Sequence, residues 1–214
     1  MRGRGPAPAW SRPGTAARWW SPVTDLADQA DLAHLDAATA LLRARLADVA
    51  PDQWDAPSPC EGWTARDVAE HVIGDAVRYR LWVIGAPAEE VTASRALTFL
   101  GDDPVAALDE IQGALRAAFA EPGALDRTAR HSAGDITGRD LLELRLLEQT
   151  LHAWDIAVAT GSDPALGDDL CARLIGSAAT IERLRGHGYY GPATALAGPG
   201  DSLQDRLLRL AGRR

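Results

Sequence analysis

Between Thr24 and Ala50 the apolar residues Leu26, Leu32, Leu35, Leu42, Leu46 and Val49 recur at helical rather than alternating intervals, with Thr24 placed as N-cap. Pro51, Pro57, Pro59 and Gly62 then interrupt any regular period, so residues 51–63 read as a loop. Thr64-Ala-Arg-Asp67 has the spacing of a capping box, with Asp in place of Glu, and opens a second helix that runs to about Ile84. The stretch from Glu89 to Gly101 carries no clear period. Asp103-Pro104 reads as an N-cap followed by proline at the first helical position, starting a third helix that ends near Ala120. A short extended piece is expected at Arg127 to His131. Thr137 and Asp140 repeat the capping pattern, predicting a fourth long helix to Thr160 that Gly161 stops. Leu166 to Arg185 predicts a fifth helix, and Asp201 to Ala211 a last helical segment. The fold class is therefore all-α: a four-helix bundle with additional C-terminal helices and a short extended segment. There is no repeat of solenoid period and no internal linker between residues 25 and 211.

Composition narrows the class. The chain has 214 residues, of which 46% are hydrophobic, enough for a substantial core. No apolar run approaches the roughly 18 residues of a membrane span, so no membrane partner is expected. A net charge of -8 and a pI near 5.1 argue against nucleic acid as a partner, because neutralising phosphates requires clustered cations. The acidity is uneven: Arg2, Arg4, Arg12 and Arg18 all precede the first acidic residue, Asp25. Residues 1–23 read as a weakly ordered basic extension ahead of one domain at 24–214, with a partner-binding or membrane-touching arm as the alternative. Pro6, Pro8, Pro13 and Gly14 break the continuous apolar stretch that a signal peptide needs. Cys60 and Cys171 lie far apart with no CxxC pair, which predicts free thiols and a cytoplasmic location. Lysine is absent, a sign of GC-rich coding as in actinobacteria.

Candidate chemistry sits on two of the predicted helices. Glu148 and His152 are one helical turn apart and share a face. Their stripe reads Leu141, Leu144, Glu148, His152, Asp155, Ala159, so ionisable groups interrupt a face that begins apolar. Buried ionisable groups need a partner, and a cation is one. On the second helix the stripe Val68, His71, Asp75, Arg78, Trp82 is also polar in its middle. His71, Glu148 and His152 together make a candidate two-histidine, one-carboxylate metal site. Taken alone, the Glu-x-x-x-His spacing equally suits a surface ion pair or a hydrogen-bonded core histidine. Asp155 is a candidate to orient the His152 ring, or else a helix-surface residue. Arg78 either holds a carboxylate of a ligand or pairs with Asp75. Cys60 reads as a structural thiol rather than a nucleophile or fourth ligand, and Trp63 and Trp154 as packing anchors. His34, His131 and His187 lack partners at ligand spacing and read as incidental.

Two long motifs carry a resemblance. Pro59-Cys60-Glu61-Gly62-Trp63-Thr64, followed by Arg66-Asp67-Val68 and His71, resembles the Pro-Cys-x-x-Trp-x-x-x-x-Leu-x-x-His signature of the mycothiol-dependent maleylpyruvate isomerase N-terminal domain, a branch of the DinB-like metal-binding superfamily. His152-Ala-Trp154-Asp155-Ile-Ala157-Val-Ala159-Thr160-Gly161 is similar to that family's His-x-Trp-Asp-Leu-Ala-x-Ala-Thr-Gly stretch. Arg183 through Pro192, and the ending Asp205-Arg206-Leu207-Leu208 to Gly212-Arg213, resemble its metal-binding actinobacterial subgroup. The resemblance implies a DinB-like bundle whose divalent metal is held by the residues matching His71, Glu148 and His152. Nitrogen and oxygen ligands suit zinc, with nickel, iron or manganese left open by ligand type. It also implies mycothiol as co-substrate, and hence a metal-dependent thiol S-transferase or isomerase acting on a small electrophilic substrate. The competing readings are a non-catalytic metal or small-molecule binding protein, with a homodimer possible through a bundle face, a hydrolase using metal-bound water, and a tailoring enzyme of secondary metabolism. The isomerase carries an additional C-terminal domain, and the length here predicts less than a full copy.

Overall fold

Several helix starts in this protein are set by side chains that reach back to the backbone. The computed structural model describes residues 22–131, 134–194, 198 and 200–213. Thr64 accepts from the Asp67 backbone N–H while the Asp67 carboxylate accepts from that of Thr64, fixing the first turn of the second helix. The same reciprocal pair, Thr137 with Asp140, opens the fifth helix, and Ser202 with Asp205 opens the eighth.

In chain order the elements are α1 (Pro22–Ala47), α2 (Ala65–Val83), α3 (Ala88–Ser94), α4 (Pro104–Phe119), β1 (Thr128–His131), β2 (Gly134–Thr137), α5 (Gly138–Thr160), α6 (Asp168–Ile175), α7 (Ala178–Gly186) and α8 (Leu203–Leu210). Helices α1 and α2 each pack on both α4 and α5, which closes a four-helix bundle. Leu35, Leu42, Ile73, Leu108, Leu115, Leu141, Leu146 and Leu147 are fully buried between them. The additional helices α6 and α8 pack on each other, and α6 also touches α1 and α5. The all-α, DinB-like class expected above is the fold observed.

Several boundaries differ from expectation for identifiable reasons. Helix α1 already contains Thr24, so that residue is not its N-cap. The unassigned stretch after Glu89 lies partly in α3, a seven-residue helix that buries Val91 and Ser94, too short to display a period. Leu166 to Arg185 is two helices rather than one: the chain bends at Gly176 and Ser177, a Gly/Ser pair of the kind that interrupts helices. The bend brings Ile181 and Leu184 of α7 into the core. The extended piece is half of an antiparallel hairpin, in register from Thr128 opposite Thr137 to His131 opposite Gly134. Residues 1–21 of the basic extension fall outside the described residues. Among the described residues no helix is long and apolar enough to cross a membrane.

Candidate metal centre

Helices α2 and α5 lie side by side, and their polar stripes meet. His71, in the second turn of α2, points Nε2 at Glu148 Oε1 of α5 at 3.3 Å, with Asp75 Oδ2 at 3.5 Å. The rings of His71 and His152 stand almost perpendicular, their centroids 5.1 Å apart. One donor atom from each of His71, Glu148 and His152 lies within 4.8 Å of the others. The structure thus brings together all three residues singled out in the sequence.

The two donors on α5 are held from behind. Glu148 Oε2 accepts from Arg145 Nη1 at 2.8 Å, leaving Oε1 facing His71. Arg145 is itself fully buried, donating to the Val72 carbonyl and to Gln112 Oε1. His152 Nδ1 lies 2.9 Å from Oδ2 of Asp155, which has no exposed surface. Arg213 clamps the same carboxylate, Nη2 to Oδ2 at 2.7 Å and Nε to Oδ1 at 3.0 Å. A carboxylate so held is an acceptor, which puts the His152 proton on Nδ1 and leaves a lone pair on Nε2.

The electrostatics agree with this division of roles. Burial holds the His152 imidazole below its ordinary value despite the opposing pull of Asp155, so the ring is neutral. Burial also resists charging of His71, yet the Glu148 hydrogen bond and the charges of Glu148 and Asp75 outweigh it and raise that ring. Burial and the neighbouring Glu148 charge push Asp75 well above the carboxylate range. Burial acts on Glu148 in the same direction, but hydrogen bonds from Asp75 and His71 and the charge of Arg145 hold it below that range. Of these two neighbouring carboxyls Glu148 is therefore the stronger acid and Asp75 the one more readily protonated.

Two imidazole nitrogens and one carboxylate oxygen are a donor set suited to a divalent cation of the zinc type. These residues also line a cavity of about 230 Å³, whose other walls include Tyr79, Trp82, Leu184, Tyr190 and Arg213. A second grouping, Cys60, His152 and Asp155, has donor atoms equally close. It fits a cation poorly. Burial and the Asp155 charge push the Cys60 thiol up to about 12, its Sγ donates to Asp155 Oδ2 at 3.4 Å, and both Asp155 oxygens already hold Arg213. Neither Cys60 nor Asp155 faces the cavity.

Arg78, a candidate from the sequence, lines the cavity and is ion-paired with Asp75. Trp63 sets its edge against His71 at 4.9 Å and stacks on His152 at 6.4 Å, while Trp154 is buried. His34 and His187 do not line the cavity, but His131, expected to be incidental, does, with its ring 4.4 Å from that of Trp82. Arg213 and Tyr190 were also missed, because both reach the site from the far end of the chain where no local spacing links them to it. The only available signal for Arg213 was its place in the ending that resembles the actinobacterial subgroup.

The model of the mycothiol maleylpyruvate isomerase N-terminal domain matches residues 35–157, a span that holds His71, Glu148 and His152. Two uncharacterized proteins from two strains of Mycobacterium tuberculosis are each 31% identical over 166 residues, covering 78% of this chain and 85% of the relative. Crystal structures of the mycothiol-dependent maleylpyruvate isomerase, and of a histidine-to-alanine mutant of it, share the fold with a TM-score of 0.64 at 20% identity. The superposition covers 91% of this chain and 93% of that chain, which corrects the expectation that the length falls short of the isomerase. The span of the family match and the agreement of the fold lead to one assignment: this chain belongs to the mycothiol maleylpyruvate isomerase N-terminal domain family.

Proposed function

We propose that the protein is a metal-dependent enzyme that uses a small-molecule thiol, mycothiol, to isomerise or S-conjugate a small electrophilic substrate. One observation carries the reading: three donor atoms within 4.8 Å of one another form part of the wall of a 230 Å³ cavity. Three protein ligands beside a cavity leave coordination positions for reactants, the pattern of catalytic rather than structural sites. The family match supports the thiol, and the isomerase that shares the fold is itself mycothiol-dependent.

His71 Nε2, Glu148 Oε1 and His152 Nε2 would hold the ion. A divalent cation there keeps a bound thiol as thiolate at neutral pH, although a free thiol has a pKa near 8.5. The protein's other groups keep this centre fixed. Asp155 accepts a hydrogen bond from the His152 Nδ1–H, Arg145 occupies the second oxygen of Glu148, and Arg213 balances the charge of Asp155. Trp63 shields both imidazoles on one side. Tyr190, its phenol pushed up to about 12 by burial, stays a hydrogen-bond donor in the cavity. Addition of sulfur to an activated carbon–carbon double bond moves the π electrons onto the attached carbonyl. Rotation followed by loss of sulfur gives the isomer, whereas protonation of the carbon gives the S-conjugate.

The test joins metal content to thiol dependence. Purified protein should hold about one divalent ion per chain, and His152→Ala should lose it while its far-ultraviolet circular dichroism stays the same. Mass spectrometry of an activated alkene incubated with and without mycothiol should show isomer or conjugate only when thiol, metal and wild-type protein are all present. Undiminished metal in His152→Ala removes the site, and product formed without thiol turns the reading to hydrolysis or another chemistry of the fold.

A further inference from the structure

The metal-end cavity is smaller than the roughly 300–1,000 Å³ typical of small-molecule sites. Beside it lies a second chamber of about 670 Å³, bounded by the turn at Gly85–Pro87, helix α3 and strand β1. The two share Trp82, Arg95 and His131 in their walls, so they adjoin. Their chemistry differs. The metal end contains Asp75 and Glu148, whereas the second chamber has no acidic residue among the described residues that line it and includes Arg95 and Arg130. In a chain of net charge -8, that local excess of cation is conspicuous. Among the described residues the Arg95 and Arg130 side chains form no ion pair or hydrogen bond. Arg78, by contrast, is tied to Asp75. Asp135 is the cross-strand neighbour of Arg130 without pairing with it, so Arg95, which lines both chambers, is the stronger anion-seeking group. Between the chambers Trp82 presents a ring that meets His131 at 4.4 Å and Tyr79 at 5.4 Å, an aromatic wall suited to a flat conjugated body.

We propose that the second chamber is a substrate subsite: a planar, conjugated segment lies along Trp82 and His131, and Arg95, assisted by Arg130, grips a carboxylate at its distal end. Guanidinium is suited to this because its planar fork matches a carboxylate in two parallel hydrogen bonds. The subsite deepens the function proposed above, since it assumes that the reacting double bond of the same molecule reaches the metal end. Arg95 is then a specificity-determining residue, selecting anionic over neutral electrophiles of equal shape.

The experiment compares two probes of nearly equal shape, the anion cinnamate and the neutral cinnamamide, by titration calorimetry. It uses the full chain as purified and again after chelator treatment. Wild-type protein should bind cinnamate about tenfold more tightly than the amide in both preparations, because a hydrogen bond between two charged groups is stronger than one to a neutral acceptor. The preference should fall to near unity in Arg95→Ala and in the double variant Arg95→Ala, Arg130→Ala, and return in part in Arg95→Lys. Metal content of the same samples is read alongside. A preference that vanishes with the metal, one unmoved by the substitutions, or no binding of either probe at millimolar concentration overturns the subsite. A preference that tracks Arg95 in protein that never binds metal leaves the subsite standing and overturns the metal reading instead.

Discussion

Asp155 has no exposed surface, yet its two oxygens meet His152, Cys60 and Arg213. A charge so buried is stable only while its partners remain, so the carboxylate and Arg213 depend on each other. Burial alone would raise Asp155, but His152 and Arg213 outweigh it and the group stays ionised across the physiological range. Asp155→Asn removes the charge that polarises the His152 ring and leaves Arg213 unbalanced. Metal affinity should fall about 10- to 100-fold, measured by competition with a chromophoric chelator, while helical content is kept. Equal affinity in the variant would show that Asp155 serves packing only. At this scale the sequence was informative about what lies one turn apart: Glu148, His152 and Asp155 declare themselves by spacing. Spacing was silent about Arg213, whose contact with Asp155 spans 58 residues and obeys no periodicity.

Among the elements, α5 contributes two of the three donors, and its start is fixed with little tolerance. Gly138, its first residue, donates its N–H to the Arg127 carbonyl, and Arg139 donates to that of Leu125. A Cβ on Gly138 would stand 2.1 Å from the Ala124 carbonyl oxygen, a clash with backbone rather than with a movable side chain. Gly138→Ala should therefore destabilise the fold by about 1–3 kcal/mol or more, read as a lowered midpoint of urea unfolding. A wild-type midpoint would mean that the loop at Ala124 yields freely. The capping boxes at Thr64 and Thr137 and the left-handed Gly161 made α2 and both ends of α5 legible beforehand, because each is a local rule written in neighbouring residues. Helix α3 and the break between α6 and α7 were not legible. The first is too short for a hydrophobic period, and the second depends on burying Ile181 and Leu184 against a core assembled from distant segments.

At the scale of the whole molecule the bundle supplies the donors, and the peripheral pieces supply the facing wall. His131 comes from the hairpin, Leu184 from α7, and Tyr190 and Arg213 from the segments after it. That division explains why the site was half visible in the sequence: amphipathic helices announce their faces, while a wall built from connecting segments does so only once the chain is folded. One property of the assembled protein concerns its own sulfur. Burial, reinforced by the Asp155 charge, pushes the Cys60 thiol up to about 12, and burial with Asp168 pushes Cys171 up to about 11. Since the thiolate is the nucleophile, both side chains are chemically quiet at neutral pH. Iodoacetamide should modify neither cysteine of the native protein in the time it consumes free glutathione, and both after unfolding; rapid alkylation of native Cys60 would contradict this. If the protein handles sulfur-hungry compounds as proposed, its own thiols are thereby spared from becoming their victims.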